Sequence, residues 1–106
     1  MNVIHLEDIA PRELVPGFKA RFIHSDSMTF SYWDIEPGGE LPAHHHIHEQ
    51  VVNMLEGAFE LTVDGKPLIL SPGDVVVIPP DVPHSGKAVT ACRILDVFHP
   101  VREDYR

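Results

Sequence analysis

Ten prolines and seven glycines punctuate this chain of 106 residues, and the segments between them read as short strands rather than helices. Arg21 to His24 and Met28 to Ile35 are the first candidates, separated by the turn Ser25-Asp26-Ser27. Pro37-Gly38-Gly39 turns the chain into a histidine-rich segment, and Gln50 to Leu55 follows, ending at Glu56-Gly57. Ala58 to Val63 ends at Asp64-Gly65, a dipeptide favoured in tight hairpins. Pro67 to Leu70, Val75 to Ile78 and Ala88 to Phe98 complete the set, the last as two strands or one bent one. Many short strands with turn residues between them predict an antiparallel all-β sandwich or barrel. Val75-Val76-Val77-Ile78 is apolar at consecutive positions, which predicts burial of both its faces, against the core and against a further layer or subunit.

The bulk composition bounds what such a domain does. At this length the chain makes one domain, residues 1–106, with a core large enough to dispense with disulfide staples. An apolar fraction of 43% and a charged fraction of 23% belong to a folded globular protein. The net charge of −8 argues against nucleic acid or an anionic membrane as partner. A single cysteine, Cys92, suits a reducing compartment. No basic segment followed by an apolar one marks a secretion signal, so a cytoplasmic location is the expectation.

Chemistry concentrates in His44-His45-His46-Ile47-His48-Glu49-Gln50. On an extended strand residues 44, 46, 48 and 50 share one face, because side chains alternate with period two. That face carries imidazoles and an amide, ligands suited to borderline transition metals. His44 and His46 reach one ion, a bend near His48 swings Gln50 toward it, and His84 arrives from a later strand start after Pro79-Pro80-Asp81-Val82-Pro83. The competing reading is a solvated polyhistidine loop. His45 and Glu49 alternate away from the ligand face, and His5, His24 and His99 carry no pattern.

The spacing Gly38, His44-His45-His46, Gln50, Gly57, followed by Pro72-Gly73-Asp74, Ile78-Pro79-Pro80 and His84, resembles the two motifs of the cupins. These are small jelly-roll β-barrels that hold a divalent metal near the barrel centre. The resemblance implies His44, His46, Gln50 and His84 as ligands of one divalent transition metal: nickel, zinc, manganese or ferrous iron. Most metal-binding cupins carry glutamate where this chain has Gln50. Three imidazoles and a neutral amide leave the ion its full double positive charge, which strengthens its pull on anionic oxygens. The same charge disfavours high oxidation states, so Lewis-acid chemistry is expected ahead of oxygen activation.

The histidine segment and the ending Leu95-Asp96-Val97-Phe98-His99-Pro100-Val101-Arg102-Glu103-Asp104-Tyr105 are similar to a KdgF-like, pectin-degradation subgroup of cupins. Its members convert 4,5-unsaturated uronates to linear 4-deoxy-5-keto uronates, and glutamine is among their metal ligands. The resemblance implies that Asp96, Phe98 and Arg102 line the pocket. Cys92, Ile94, Asp96 and Phe98 share one strand face, so Asp96 is a buried or half-buried carboxylate suited to proton transfer. Arg102 folds over the mouth either to fork a substrate carboxylate or to pair with Glu103 or Asp104 at the rim. His48 serves as an orienting second partner or a pocket acid–base group, and Tyr32 or Trp33 as apolar wall or core. Similar cupins are dimers, which implies a homodimer with residues 1–17 as an exchanged arm. The alternatives are a non-haem metal dioxygenase and a non-enzymatic small-ligand-binding cupin. Turnover that survives strict anaerobiosis excludes the dioxygenase, and absence of any turnover marks the binding module.

Overall fold

The structure, a computed structural model, describes residues 2–106. Ten strands run in chain order: β1 (Arg12–Val15), β2 (Phe18–His24), β3 (Thr29–Ile35), β4 (Glu40–His44), β5 (Glu49–Glu56), β6 (Phe59–Val63), β7 (Lys66–Leu70), β8 (Val75–Ile78), β9 (His84–Ala88) and β10 (Cys92–His99). Helical structure is limited to single 3-10 turns at Leu6–Asp8 and Glu103–Tyr105. Neither is long or apolar enough to cross a membrane.

The strands form two antiparallel sheets, one of six strands in the order β1-β2-β3-β10-β5-β8 and one of four in the order β4-β9-β6-β7. Their facing surfaces build one core, with Phe18, Ile35, Val52, Met54, Ile78 and Ile94 from the larger sheet. Phe59, Leu61, Leu70 and Ala88 come from the smaller. This is the all-β jelly-roll barrel. Each large apolar side chain buried there contributes roughly 1.5–3 kcal/mol. The alternation expected along the last strand is present: Cys92, Ile94, Asp96 and Phe98 face inward, and Arg93 and His99 face out.

The region Ala88 to Phe98 holds one strand, β10 from Cys92, while Ala88 is only the last residue of β9, which lies in the other sheet. β1, which the sequence reading did not contain, pairs with β2 through a hairpin in which Val15 lies opposite Phe18. Asp64 (φ 49°) and Gly65 (φ 76°) both take positive φ, as a two-residue type I′ hairpin requires. The expectation for Val75 to Ile78 needs correction within a single chain. Ile78 is fully buried, but β8 is an edge strand and the side chains of Val75 and Val77 remain 59% and 57% exposed.

Two motif glycines have different physical reasons. Gly38 (φ +81°) has nothing within 4 Å of where a Cβ would sit, so it serves only the left-handed turn. At Gly57 (φ +84°) a Cβ would stand 2.0 Å from the Ala91 carbonyl oxygen, where the β5–β6 turn packs on the β9–β10 connection. That packing is held by Val89 N–H donating to the Ala58 carbonyl (3.0 Å) and Ala58 N–H to Thr90 Oγ1 (3.0 Å). In urea unfolding, Gly38→Ala is therefore expected to cost about 1 kcal/mol, and Gly57→Ala about 3 kcal/mol or more. Equal costs for the two would show that backbone strain alone accounts for Gly57.

Candidate functional site

The histidine segment is not one strand. His44 ends β4 in the smaller sheet, Gln50 lies near the start of β5 in the larger, and residues 45–48 bend between them. The shared strand face expected for positions 44 to 50 is thus replaced by a crossing between sheets, and the ligand types converge from both sides of the barrel. His44 lies opposite His84, which opens β9. Ring centroids are 4.3 Å apart for His44 and His84, 4.9 Å for His46 and His84, and 5.7 Å for His44 and His46. One ring nitrogen from each of the three lies within 4.8 Å of the others, an arrangement able to hold a metal ion.

The same local device orients all three rings. His44 Nδ1–H donates to the Pro42 carbonyl (2.9 Å), His84 Nδ1–H to the Val82 carbonyl (2.9 Å), and His46 Nδ1–H to the His48 carbonyl (3.0 Å). A carbonyl only accepts, so each Nδ1 carries a proton, and in the neutral ring Nε2 is then the atom with the free lone pair. His84 Nε2 is buried and has no hydrogen-bond partner. Burial, with Arg102 and His84 adding smaller effects, lowers the His46 pKa from 6.5 to about 4, and burial likewise lowers that of His84. Neutral imidazole is the form that ligates metals. His46 Nε2 lies 3.1 Å from Gln50 Oε1. As placed, two acceptors face each other there, a contact that a shared cation or a turned amide relieves. The donor set and its protonation fit a divalent transition metal.

Beside these groups lies a cavity of about 200 Å³ whose lining includes His44, Gln50, His84, Asp96, Phe98 and Arg102. Gln50 is opposite Phe98 in the β5–β10 ladder, which sets the amide beside the inner face of β10. Asp96 is almost fully buried, and burial raises its pKa from 3.8 to about 7. The nearby Gln50 amide, Trp33 indole and Arg102 charge pull it down without cancelling that effect. Asp96 Oδ1 and Trp33 Nε1 are both buried and neither closes a hydrogen bond of full geometry. Trp33 lines the cavity, whereas Tyr32, its neighbour along β3, projects to the other face.

Arg102 is buried with its guanidinium 4.8 Å from the Phe98 ring centroid and 4.1 Å from that of Tyr105. Its Nε–H and one terminal N–H donate to the two carboxylate oxygens of Asp104 at 3.0 and 2.7 Å. One edge of the fork is therefore engaged internally, and Arg102 holds the Asp104 carboxyl below the usual range. His48 is absent from the cavity lining. Its main-chain carbonyl orients His46, and burial together with Arg102 lowers its own pKa. His45 and Glu49 are exposed, as their alternation implied.

Sequence reasoning missed the anchors of the C-terminal segment. Arg102 N–H donates to Thr29 Oγ1 (2.8 Å), and Thr29 is fully buried. His24 Nε2–H donates to the Tyr105 carbonyl (3.3 Å), so His24 Nδ1 accepts from the Thr29 hydroxyl (2.8 Å). Arg12 also donates to the Tyr105 carbonyl (2.6 Å). These contacts hold residues 102–105 across the barrel mouth. No local signal in the sequence links His24 to a residue 81 positions away.

Fold, histidine triad and spacing together define a jelly roll with a triad able to hold a metal ion, and the chain belongs to the cupin family, whose domain matches residues 31–98. It is 29% identical to the pectin degradation protein KdgF of Dickeya dadantii, over 99% of both chains. The solved structure of KdgF from Halomonas superposes with a TM-score of 0.93 at 25% identity, covering 100% of this chain and 99% of that one. An RmlC-like cupin from Shewanella frigidimarina superposes with a TM-score of 0.94 at 28% identity, covering 100% and 96%.

The raised pKa of Asp96 has a stability consequence in the metal-free protein. Below about pH 4 the carboxyl is protonated in both folded and unfolded states and contributes nothing. From there to about pH 7 the folded state keeps the proton longer, so stability falls as pH rises. Asp96→Asn removes this titration. Its unfolding free energy relative to the parent is expected to improve across that window, by about 4 kcal/mol at most. A difference that does not vary with pH would show that Asp96 titrates normally.

Proposed function

We propose that the protein is a divalent-metal enzyme that converts a 4,5-unsaturated uronate, or a similar small anionic sugar, to the linear 4-deoxy-5-keto acid. One observation carries this reading: two of the three oriented imidazoles, His44 and His84, line one cavity with Gln50, a protonatable buried carboxyl and a guanidinium, and the third, His46, reaches Gln50 at 3.1 Å. Similarity over nearly the whole chain to two KdgF proteins, one of them described as a pectin degradation protein, supports the substrate class. His44, His46, Gln50 and His84 would hold the ion, which when bound supplies Lewis acidity toward the sugar oxygens.

The remaining work falls to the chain's own residues. The reaction is an isomerisation, so no atom or electron is gained or lost. Asp96, with a pKa near the working pH, accepts the proton of the anomeric hydroxyl as the bond between C1 and the ring oxygen breaks, then returns it to that oxygen. The product of that step is an aldehyde and an enol. Loss of the enol proton and delivery of a proton to C4 complete the ketone, again within reach of a relay carboxyl. Arg102 pairs with the substrate carboxylate through the edge of its fork not engaged by Asp104. Phe98, fully buried beside His46, forms the wall beneath the sugar. His48 positions His46 through its carbonyl.

A homodimer is part of the proposal. Val3 and Ile4 in the N-terminal arm and Val75 and Val77 on the β8 edge are exposed apolar groups that a second copy would cover. Light scattering on the eluting protein is expected to return twice the chain mass, and a monomer would refute that part.

Activity is read from the loss of ultraviolet absorbance of the substrate's C4–C5 double bond. A chelator is expected to abolish turnover and re-addition of a divalent metal to restore it. Asp96→Asn, with metal content unchanged, is expected to lower kcat/KM by about a hundredfold or more. Strict exclusion of oxygen is expected to leave the rate unaltered. Full activity in Asp96→Asn, or a requirement for oxygen, would overturn the mechanism.

A further inference from the structure

Among the described residues, three polar atoms on the inner face of β3 and β10, Ser31 Oγ, Trp33 Nε1 and Asp96 Oδ1, are buried without a hydrogen bond of full geometry, although the Trp33 indole lies close enough to Asp96 to pull its pKa down. They are neighbours in the ladder. Asp96 lies opposite Ser31 and Trp33 opposite Ile94, so all three side chains project from one face. Trp33 and Asp96 line the cavity, whose wall around them is apolar, with Phe18, Ile35, Val52, Phe59 and Ile94, while Ser31 lies behind that lining. A buried polar atom left unpaired costs about 1–3 kcal/mol, and such atoms are rare in folded proteins. Two of them together in an otherwise apolar wall mark a place built for a polar group of a ligand.

The Trp33 ring is also held in a set direction. Phe18 meets it edge-on at 5.9 Å and 77°, and Phe22 at 6.0 Å and 87°. Its N–H therefore points one way, beside a carboxyl oxygen that accepts. A fixed donor next to an acceptor is complementary to a hydroxyl, whose oxygen accepts while its proton is donated.

We propose that Trp33 is a specificity-determining residue whose Nε1–H, together with Asp96 Oδ1, reads one hydroxyl of the sugar inside the barrel. The inference rests on the cavity being the sugar site proposed above. A deoxy analogue lacking that hydroxyl leaves the two groups with only their poorly aligned contact to each other and is bound more weakly, which is how buried polar pairs discriminate more strongly than apolar pockets do.

Two changes remove the N–H while keeping an aromatic ring: Trp33→Phe, and replacement of the indole by benzothiophene through incorporation of benzothienylalanine. The second is feasible because Trp33 is the only tryptophan. It retains the ring shape if Trp33→Phe fails to fold. With metal content and thermal midpoint close to the parent's, each is expected to lower kcat/KM on unsaturated galacturonate about tenfold to a hundredfold, mainly through KM. A kcat/KM within about twofold of the parent for the benzothiophene form overturns the proposal. Binding is read independently in the metal-loaded parent protein from Trp33 emission during titration with galacturonate, a saturated uronate. A hydroxyl accepting from the indole N–H is expected to red-shift that emission, and no shift at saturation overturns the proposal. A red shift without turnover of any unsaturated uronate overturns the proposed reaction and leaves the hydroxyl pair standing.

Discussion

Everything at the site depends on the register of β10 between β3 and β5. The strand is paired on both sides along most of its length, from Cys92 to Phe98 against β3 and from Arg93 to His99 against β5. A slip of one residue on either side would send Cys92, Ile94, Asp96 and Phe98 to the outer surface. The apolar members of that set gain from burial and hold the register, and Asp96 is carried inward with them. Its burial is thus enforced by its neighbours, at a cost its own chemistry does not repay in folding.

That cost is visible in the electrostatics. A carboxyl with a raised pKa, two imidazoles that burial keeps from protonating and a set of polar atoms without well-formed hydrogen bonds share one end of the barrel. None of these is what a chain selected for stability alone would place there, because apolar replacements of similar volume remove the desolvation terms. The surrounding framework tolerates them because the ladder and core are large by comparison. Positioning is achieved with short-range means: a carbonyl two residues away sets each histidine tautomer, and Asp104 with two aromatic rings sets Arg102.

Much of the barrel was legible in the residue pattern. The apolar run Val75 to Ile78 coincides with a strand, and Asp64-Gly65 marks a hairpin because only a few dipeptides tolerate two positive φ values. The inward face of β10 followed from period-two alternation. What failed was the histidine segment read as one strand. Nothing local separates a strand from a bend when the side chains are polar, and the crossing is set by which sheet each half joins. β1 escaped notice because its burial is slight and its pairing comes from the hairpin with β2.

The class of fold, the kinds of groups available for a metal, and the face on which Asp96 and Phe98 lie all follow from composition, spacing and alternation along the chain. The placing of His44 opposite His84, the half-engagement of Arg102 by Asp104, and the anchoring of the C-terminal segment by His24 and Thr29 arise from the packing of the whole chain. That packing also brings Ser31, Trp33 and Asp96 together on one face. Those facts join residues far apart in the chain. They follow from strand order and packing between sheets, which local pattern does not encode.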